Sequence, residues 1–454
     1  MGLRPIAGLL RANPANPRYF TDDTGRAVYL TGSHTWNNLI DMGRSDPPPE
    51  FDFAHYLDVL EGLNHNFIRL WAWDALRTWN AQDVVQPLPW ARTGPGTALD
   101  GKPKFDLTQL TDDYFERLRT RVGMAQERGI YVGVMLFDSW AVFTRTSAPL
   151  DMHAFAGGNN VNGIDILPTE GDGVLRGWVT LDDPQVTAIQ EAYTRKVVET
   201  VNEFDNVLFE ISNEAGGQSH DWQEHFVGFI RACEAGMPKQ HMVGITGGMG
   251  TSNRRTYEST ADWVSPEVDT VDGVDPAYRE GGHTWGAAPF DRGDKVVLLD
   301  TDHLWGIGGD ETWAWKSFCR GYNVLYMDRC DDFPTAFFEH EHWPNEFDPN
   351  VRREMGIILS YAERMDLNRA VPHNELSSTG YCLADPRREY IIYQPEGGPF
   401  TVRLEPGAYR LEWHDPSTGE AAGEGALTAA EGDAELTPPV GGDAVVFLTR
   451  RGES

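Results

Sequence analysis

Cysteine is scarce in this chain. Four occur in 454 residues, Cys233, Cys319, Cys330 and Cys382, far apart and without a CxxC pair. That spacing excludes a zinc ribbon or a thiol redox motif and points to buried free thiols. No apolar run approaches the ~20 residues of a membrane-spanning helix, so no membrane partner is expected. Positive charge is also in deficit. Lys and Arg number 38 against 69 Asp and Glu, a formal charge of −31, which repels phosphate backbones and argues against nucleic acid as a partner. No GxGxxG follows the first strand-like run. The Gly-rich stretch 305–310 (WGIGGD) lacks a following Lys-Ser/Thr, so it is read as a rim loop rather than a phosphate loop, and no cofactor is expected. The one apolar patch near the start, Ile6–Leu10, is cut by Arg11. It is too weak for a signal peptide and predicts a cytoplasmic protein.

What is present is an ordinary globular composition, 40% hydrophobic and 24% charged, in a chain too long for one common core but suited to a barrel plus a small extra domain. Eight short apolar runs recur: Val28–Trp36, Asn66–Asp74, Ile130–Asp138, Asn206–Glu214, Met242–Gly248, Ala261–Glu267, Lys295–His303 and Asn323–Asp328. Runs of this kind suit parallel strands buried on both faces. Helix-like stretches lie between them, at 53–63, 111–128, 184–204, 222–235, 311–318 and 350–365, with Thr111 as the expected N-cap of the second. Eight alternating units predict a (β/α)8 barrel, with a doubly wound open sheet as the runner-up. The links 74–103 and 138–182 are long and without periodicity, as functional loops often are. From Leu376 onward short alternating runs separated by turns predict an antiparallel β-sandwich. The expected division is 1–374 for the barrel and 375–454 for the β-domain, with 419–442 left without a firm assignment.

Active sites of such barrels sit where the strands end. The fourth run, NVLFEISNE, ends in Asn213 and Glu214; the seventh, KVVLLDTDH, carries Asp300, Asp302 and His303. Two carboxyls facing each other across a barrel mouth are what cleavage of a glycosidic bond requires, one to protonate the leaving oxygen and one to attack carbon or activate water. Alternation along a strand places Asp300 on the face of Asp302, Glu210 below Glu214, and His303 on the opposite face. Arg69 points inward from the second run, toward Glu210.

Phe209–Glu214 (FEISNE) resembles the strand-4 signature of the large clan of barrel glycoside hydrolases that includes cellulases, β-mannanases and β-galactosidases. Asp300–His303 (DTDH) resembles that clan's strand-7 context, with Asp where most members have Glu. The opening 18–36 and the tail 389–420 are similar to an apiosidase-like subgroup with a small C-terminal β-domain. The resemblance implies Glu214 as acid/base, Asp302 as nucleophile, Arg69 holding that nucleophile ionised, and Asn213 donating to the sugar 2-hydroxyl. The expected activity is exo-acting, retaining hydrolysis of a plant or microbial oligosaccharide. Further candidate sugar contacts are Asp138, His34 and Trp36 at strand ends, with Trp73, Trp140 and Trp305 as stacking rings; His303 is expected to brace the strand-7 loop. Two other readings compete. One is a metal-dependent barrel hydrolase, for which strand 1 offers only Ser33–His34–Thr35 and the HEH at 340–342 lies past strand 8. The other is a non-catalytic carbohydrate-binding barrel.

Overall fold

The computed structural model describes residues 2–78, 82–139, 150–166, 177–248, 251–267, 288–304, 309–328 and 349–451. Eight parallel strands form one sheet: β1 (Gly32–His34), β2 (Phe67–Leu70), β3 (Tyr131–Asp138), β4 (Val207–Asn213), β5 (Val243–Thr246), β6 (Trp263–Ser265), β7 (Val296–Asp300) and β8 (Asn323–Met327). Their spatial order follows the chain from β2 to β8, and β8 then pairs with β1, Met327 opposite His34. Just before these two strands, the amides of Asn66 and Phe67 donate to the Thr31 carbonyl at 2.9 and 3.1 Å and draw β1 against β2. Gly32 makes the approach possible, because a Cβ there would lie 1.9 Å from the Phe67 carbonyl oxygen. The expected barrel is therefore present, with its strands buried throughout.

The helices between the strands follow local signals. Helix α1 (Phe53–Gly62) starts at Asp52, whose carboxylate accepts from the His55 amide. Helix α2 (Asp112–Glu127) begins after Thr111 as expected, but the Thr111 side chain makes no capping bond; Asp112 and Asp113 meet the positive end of the helix instead. Helix α3 (Pro184–Val201) is capped by Asp183, with Pro184 in its first turn. Helices α4 (His220–Glu234), α5 (Asn253–Tyr257), α6 (Glu311–Cys319) and α7 (Pro349–Arg364) complete those among the described residues that flank the sheet.

The two long links carry structure that their lack of periodicity hid. The link after β2 forms a hairpin, Trp90–Thr97 with Pro103–Leu110. It is stitched to the link after β3 by backbone bonds from Leu76 to Met152, Phe105 to Asn159 and Val161 to Phe105, at 2.8–2.9 Å. These bonds tie the described parts of the two links to each other.

At the C-terminus a six-stranded antiparallel sheet runs in the order 371–372, 382–385, 389–394, 444–450, 407–415, 420–429. A second, two-stranded ladder pairs Phe400–Arg403 with Asp433–Leu436. Alternation sorts the side chains of the larger sheet. Ile391, Tyr393, Val445 and Phe447 belong to the barrel's core, while Tyr390, Ile392, Val446 and Leu448 join Phe400, Val402 and Leu436 in a separate one. The stretch 419–442 supplies two of these strands. The barrel and sheet also share a polar knot. Buried Glu354 of α7 accepts from Trp315 Nε1 of α6 at 2.9 Å and pairs with His414 Nε2 of the sheet at 2.7 Å.

Candidate active site

Arg69, on β2, points into the barrel and organises the strand ends. Its Nε and Nη2 donate to the two oxygens of Glu210 on β4, at 2.8 and 2.5 Å, a bidentate pair suited to the planar guanidinium. Nη2 also donates to Asn213 Oδ1 at 3.0 Å; Nη1 donates to Asp300 at 2.9 Å and to Asp302 at 3.3 Å. The expected Arg69–Glu210 pair and the expected contact of Arg69 with Asp302 thus coexist on one side chain.

Strand β7 stops at Asp300, and residues 301–304 form a single helical turn. Asp300 starts that turn by accepting the Asp302 amide at 3.0 Å. This corrects the expectation for His303. Strand alternation does not reach it, and helical geometry swings the imidazole inward, where Nε2 lies 3.0 Å from Asn213 Oδ1 and Nδ1 lies 2.8 Å from Ser265 Oγ.

His34 is corrected as well. It is fully buried with both ring nitrogens engaged, so it is not a sugar contact. Nδ1 accepts from the Trp71 indole at 2.9 Å and Nε2 faces Asp300 at 2.8 Å. Because an indole N–H only donates, Nδ1 carries no proton and the Nε2–H points at Asp300. Trp36 and Trp73 are core rings rather than exposed stacking faces. Trp73 is 1% exposed, its Nε1 donates to the Trp36 carbonyl, and both rings pack on Trp71. Trp140, Trp305 and the HEH at 340–342 lie outside the described residues.

Glu214 follows β4 directly and takes a left-handed backbone, φ 44°. Burial drives its carboxyl well above the usual carboxylate range, and the charges of Asp302, Asp138 and Glu267 push the same way against the pull of Arg69. Asp302 is raised to about 8, chiefly by burial, with Arg69 opposing and Asp300 and Asp138 adding to the rise. Arg69 thus pulls Asp302 toward the charged form, in the expected direction, against the larger effect of burial. The guanidinium is shared with Glu210 and Asp300, and its contact with Asp302 is the longest of the three. Asp300, despite burial that opposes its charge, is held well below the usual range by His34 and Arg69.

Asp138, ending β3, is buried and accepts from Asn213 Nδ2 at 3.4 Å. Its backbone amide donates to Asp74 at 2.9 Å. Burial raises Asp74 well above its ordinary value. Three groups here escaped the sequence reading: Asp74, Glu267 and Ser265. A signal existed for two of them, since Asp74 and Glu267 terminate the second and sixth apolar runs as Glu214 terminates the fourth. Among the described residues, no three His, Cys, Asp or Glu side chains group as a metal site.

Comparison with known proteins adds the following. Residues 78–251 match the family model described as a domain of unknown function, DUF6298. A search of curated proteins finds no match. Among solved structures, a glycoside hydrolase family 5 protein from Bacteroides vulgatus is similar with a TM-score of 0.62 and 11% identity, over 98% of this chain and 94% of that one. A structure titled only glycoside hydrolase gives 0.60 and 11%, over 100% and 99%. A second Bacteroides vulgatus protein, described as a putative glycoside hydrolase, gives 0.60 and 12%, over 98% and 83%. At these identities the likeness shows a shared fold: barrel and C-terminal sheet together.

Proposed function

We propose that this chain is a glycoside hydrolase that cleaves its substrate with retention, Glu214 serving as acid/base and Asp302 as nucleophile. The observation that carries this reading is a pair of largely enclosed carboxyls just past β4 and β7 that act on each other electrostatically, Asp302 being in contact with Arg69. The glycoside hydrolase titles of the fold's relatives support it. With one proton between the two, contact with Arg69 favours the anion on Asp302 and leaves the proton on Glu214.

In the first step Glu214 protonates the glycosidic oxygen as Asp302 attacks the anomeric carbon; the bond to the leaving group breaks and an ester to Asp302 forms. Esterification removes the negative charge that helped Glu214 hold its proton, so Glu214 then takes a proton from the incoming water. Asn213 faces the sugar 2-hydroxyl and Asp138 a neighbouring hydroxyl. The length of the links after β2 and β3, and the backbone bonds that tie them together, support exo action on a short oligosaccharide.

The test is a panel of 4-nitrophenyl pyranosides and furanosides against wild type and Glu214→Gln. The expected result is at least one glycoside cleaved by wild type and not by the variant. A matching 2-deoxy-2-fluoro glycoside should leave its sugar on the peptide containing Asp302. A hydrolysed glycoside whose turnover survives Glu214→Gln, or a label elsewhere, would overturn the assignment.

A further inference from the structure

The amide of Asn213 is held from two sides by groups that belong to different strands. Arg69 only donates, so the Asn213 atom 3.0 Å from Nη2 is the carbonyl oxygen. The same oxygen lies 3.0 Å from His303 Nε2. Arg69 Nη2 also lies 3.4 Å from this nitrogen, but the amide oxygen is closer and only accepts, so the imidazole nitrogen carries a proton and donates to it. Burial and the charge of Arg69 keep the ring neutral, its pKa lowered to about 3. With the single proton on Nε2, Nδ1 accepts from the Ser265 hydroxyl at 2.8 Å. Ser265 in turn sits at the last position of β6, and His303 is 4% exposed. The chain Ser265–His303–Asn213 therefore spans β6, the turn after β7 and β4. Two donors on one oxygen stop the amide from flipping and turn its NH2 toward Asp138, 3.4 Å away.

We propose that His303 is a positioning residue: with its tautomer set by Ser265 and Asn213, it fixes the Asn213 amide so that the NH2 is presented to the hydroxyl next to the anomeric carbon. This rests on the hydrolase reading for its substrate and on the hydrogen-bond pattern alone for its geometry, and the two are separable by experiment. The hydrogen bond from His303 Nε2 is to this one amide, whose contact with the 2-hydroxyl strengthens in the transition state, while Asp302 lies 3.6 Å from the same nitrogen.

The geometric part is read by NMR of protein labelled with 15N in histidine rings, His303 being assigned by its loss in His303→Gln. The expected spectrum is an Nε2–H tautomer unchanged between pH 6 and pH 9. An Nδ1–H tautomer, or protonation within that range, overturns the proposal whether or not any glycoside is cleaved. The functional part uses the 4-nitrophenyl glycoside cleaved by wild type and its 2-deoxy counterpart. His303→Phe should lower kcat on the first by about 10²-fold, with KM little changed and the 2-deoxy compound nearly unaffected. His303→Gln, which keeps an N–H donor, should recover part of the loss. Equal losses on both compounds overturn the proposal. A wild type that cleaves no aryl glycoside counts against the hydrolase reading and leaves the tautomer to decide the positioning.

Discussion

Replacing Arg69 with Met would remove the one guanidinium that Glu210, Asp300 and Asp302 share. Arg69 donates twice to Glu210 and once each to Asp300 and Asp302, and Met fills a similar volume without any donor. Removing one partner of a buried ion pair costs about 3–5 kcal/mol because the other charge is left uncompensated. With an unfolding entropy of ~2.1 cal/mol/K per residue, 454 residues give about 1 kcal/mol/K, so Tm should fall by about 3–5 °C if barrel and sheet melt together. The loss should depend on pH, with a definite sign. In wild type, Asp300 is held below its ordinary value, so its stabilisation is present above pH ~4 and is lost as pH falls. In Arg69→Met the same carboxyl keeps His34 but loses the guanidinium, so its folded-state pKa rises and the folded state weakens, relative to wild type, as pH rises. The deficit should therefore be larger at pH 8 than at pH 5. Scanning calorimetry at the two pH values measures it. The double variant Arg69→Met/Glu210→Leu, which removes both charges of the bidentate pair, should recover part of the loss. A Tm within about 1 °C of wild type at pH 8, or a deficit larger at pH 5, would refute the reasoning.

Other consequences are checked as readily. In the pH profile of kcat/KM on a cleaved aryl glycoside, the rising limb reports ionisation of Asp302 and should lie near pH 8, with the fall above it set by Glu214; a rising limb near pH 4 contradicts this. Gly248→Ala places a Cβ 2.4 Å from the Gly216 nitrogen and 2.7 Å from the Glu214 carbonyl carbon. Both are backbone atoms, so the turn carrying Glu214 must move, and activity should fall at least ~10-fold with a stability cost of about 1–3 kcal/mol, read by calorimetry. A chain ending at residue 374 loses Ile391, Tyr393, Val445 and Phe447 from the barrel's core and His414 from Glu354; it should be insoluble or lack a cooperative melting transition, and a soluble, cooperatively melting barrel would show the sheet to be dispensable.

The barrel was legible because its strands are buried on both faces and read as continuous apolar runs, bounded by helices with Asp caps or a Pro start. The strand-end residues were legible for the same reason: where a run stops, the side chain meets the mouth. What failed were inferences that extended a period past its end. At 300–303 the alternation of a strand was carried into residues that fold as a helical turn, which misplaced His303. The sign was present in the sequence, since Asp300 two residues before an amide is a turn starter. The tryptophans misled because a ring beside a strand end reads alike whether it faces sugar or core, and only packing against Trp71 distinguishes Trp36 and Trp73. The sharing of Arg69 among three carboxylates depends on residues 69, 210, 300 and 302 meeting in space, which no spacing along the chain encodes.

Glu214 combines an uncommon backbone geometry with an uncommon side-chain environment. A left-handed φ suits Gly or Asn and costs other residues about 1–2 kcal/mol, and its carboxyl is held where it resists ionising. The native sequence is then not the most durable one for this scaffold. A selection that rewarded heat resistance alone would discard the glutamate at this position early, leaving a sturdier barrel without its proposed proton donor.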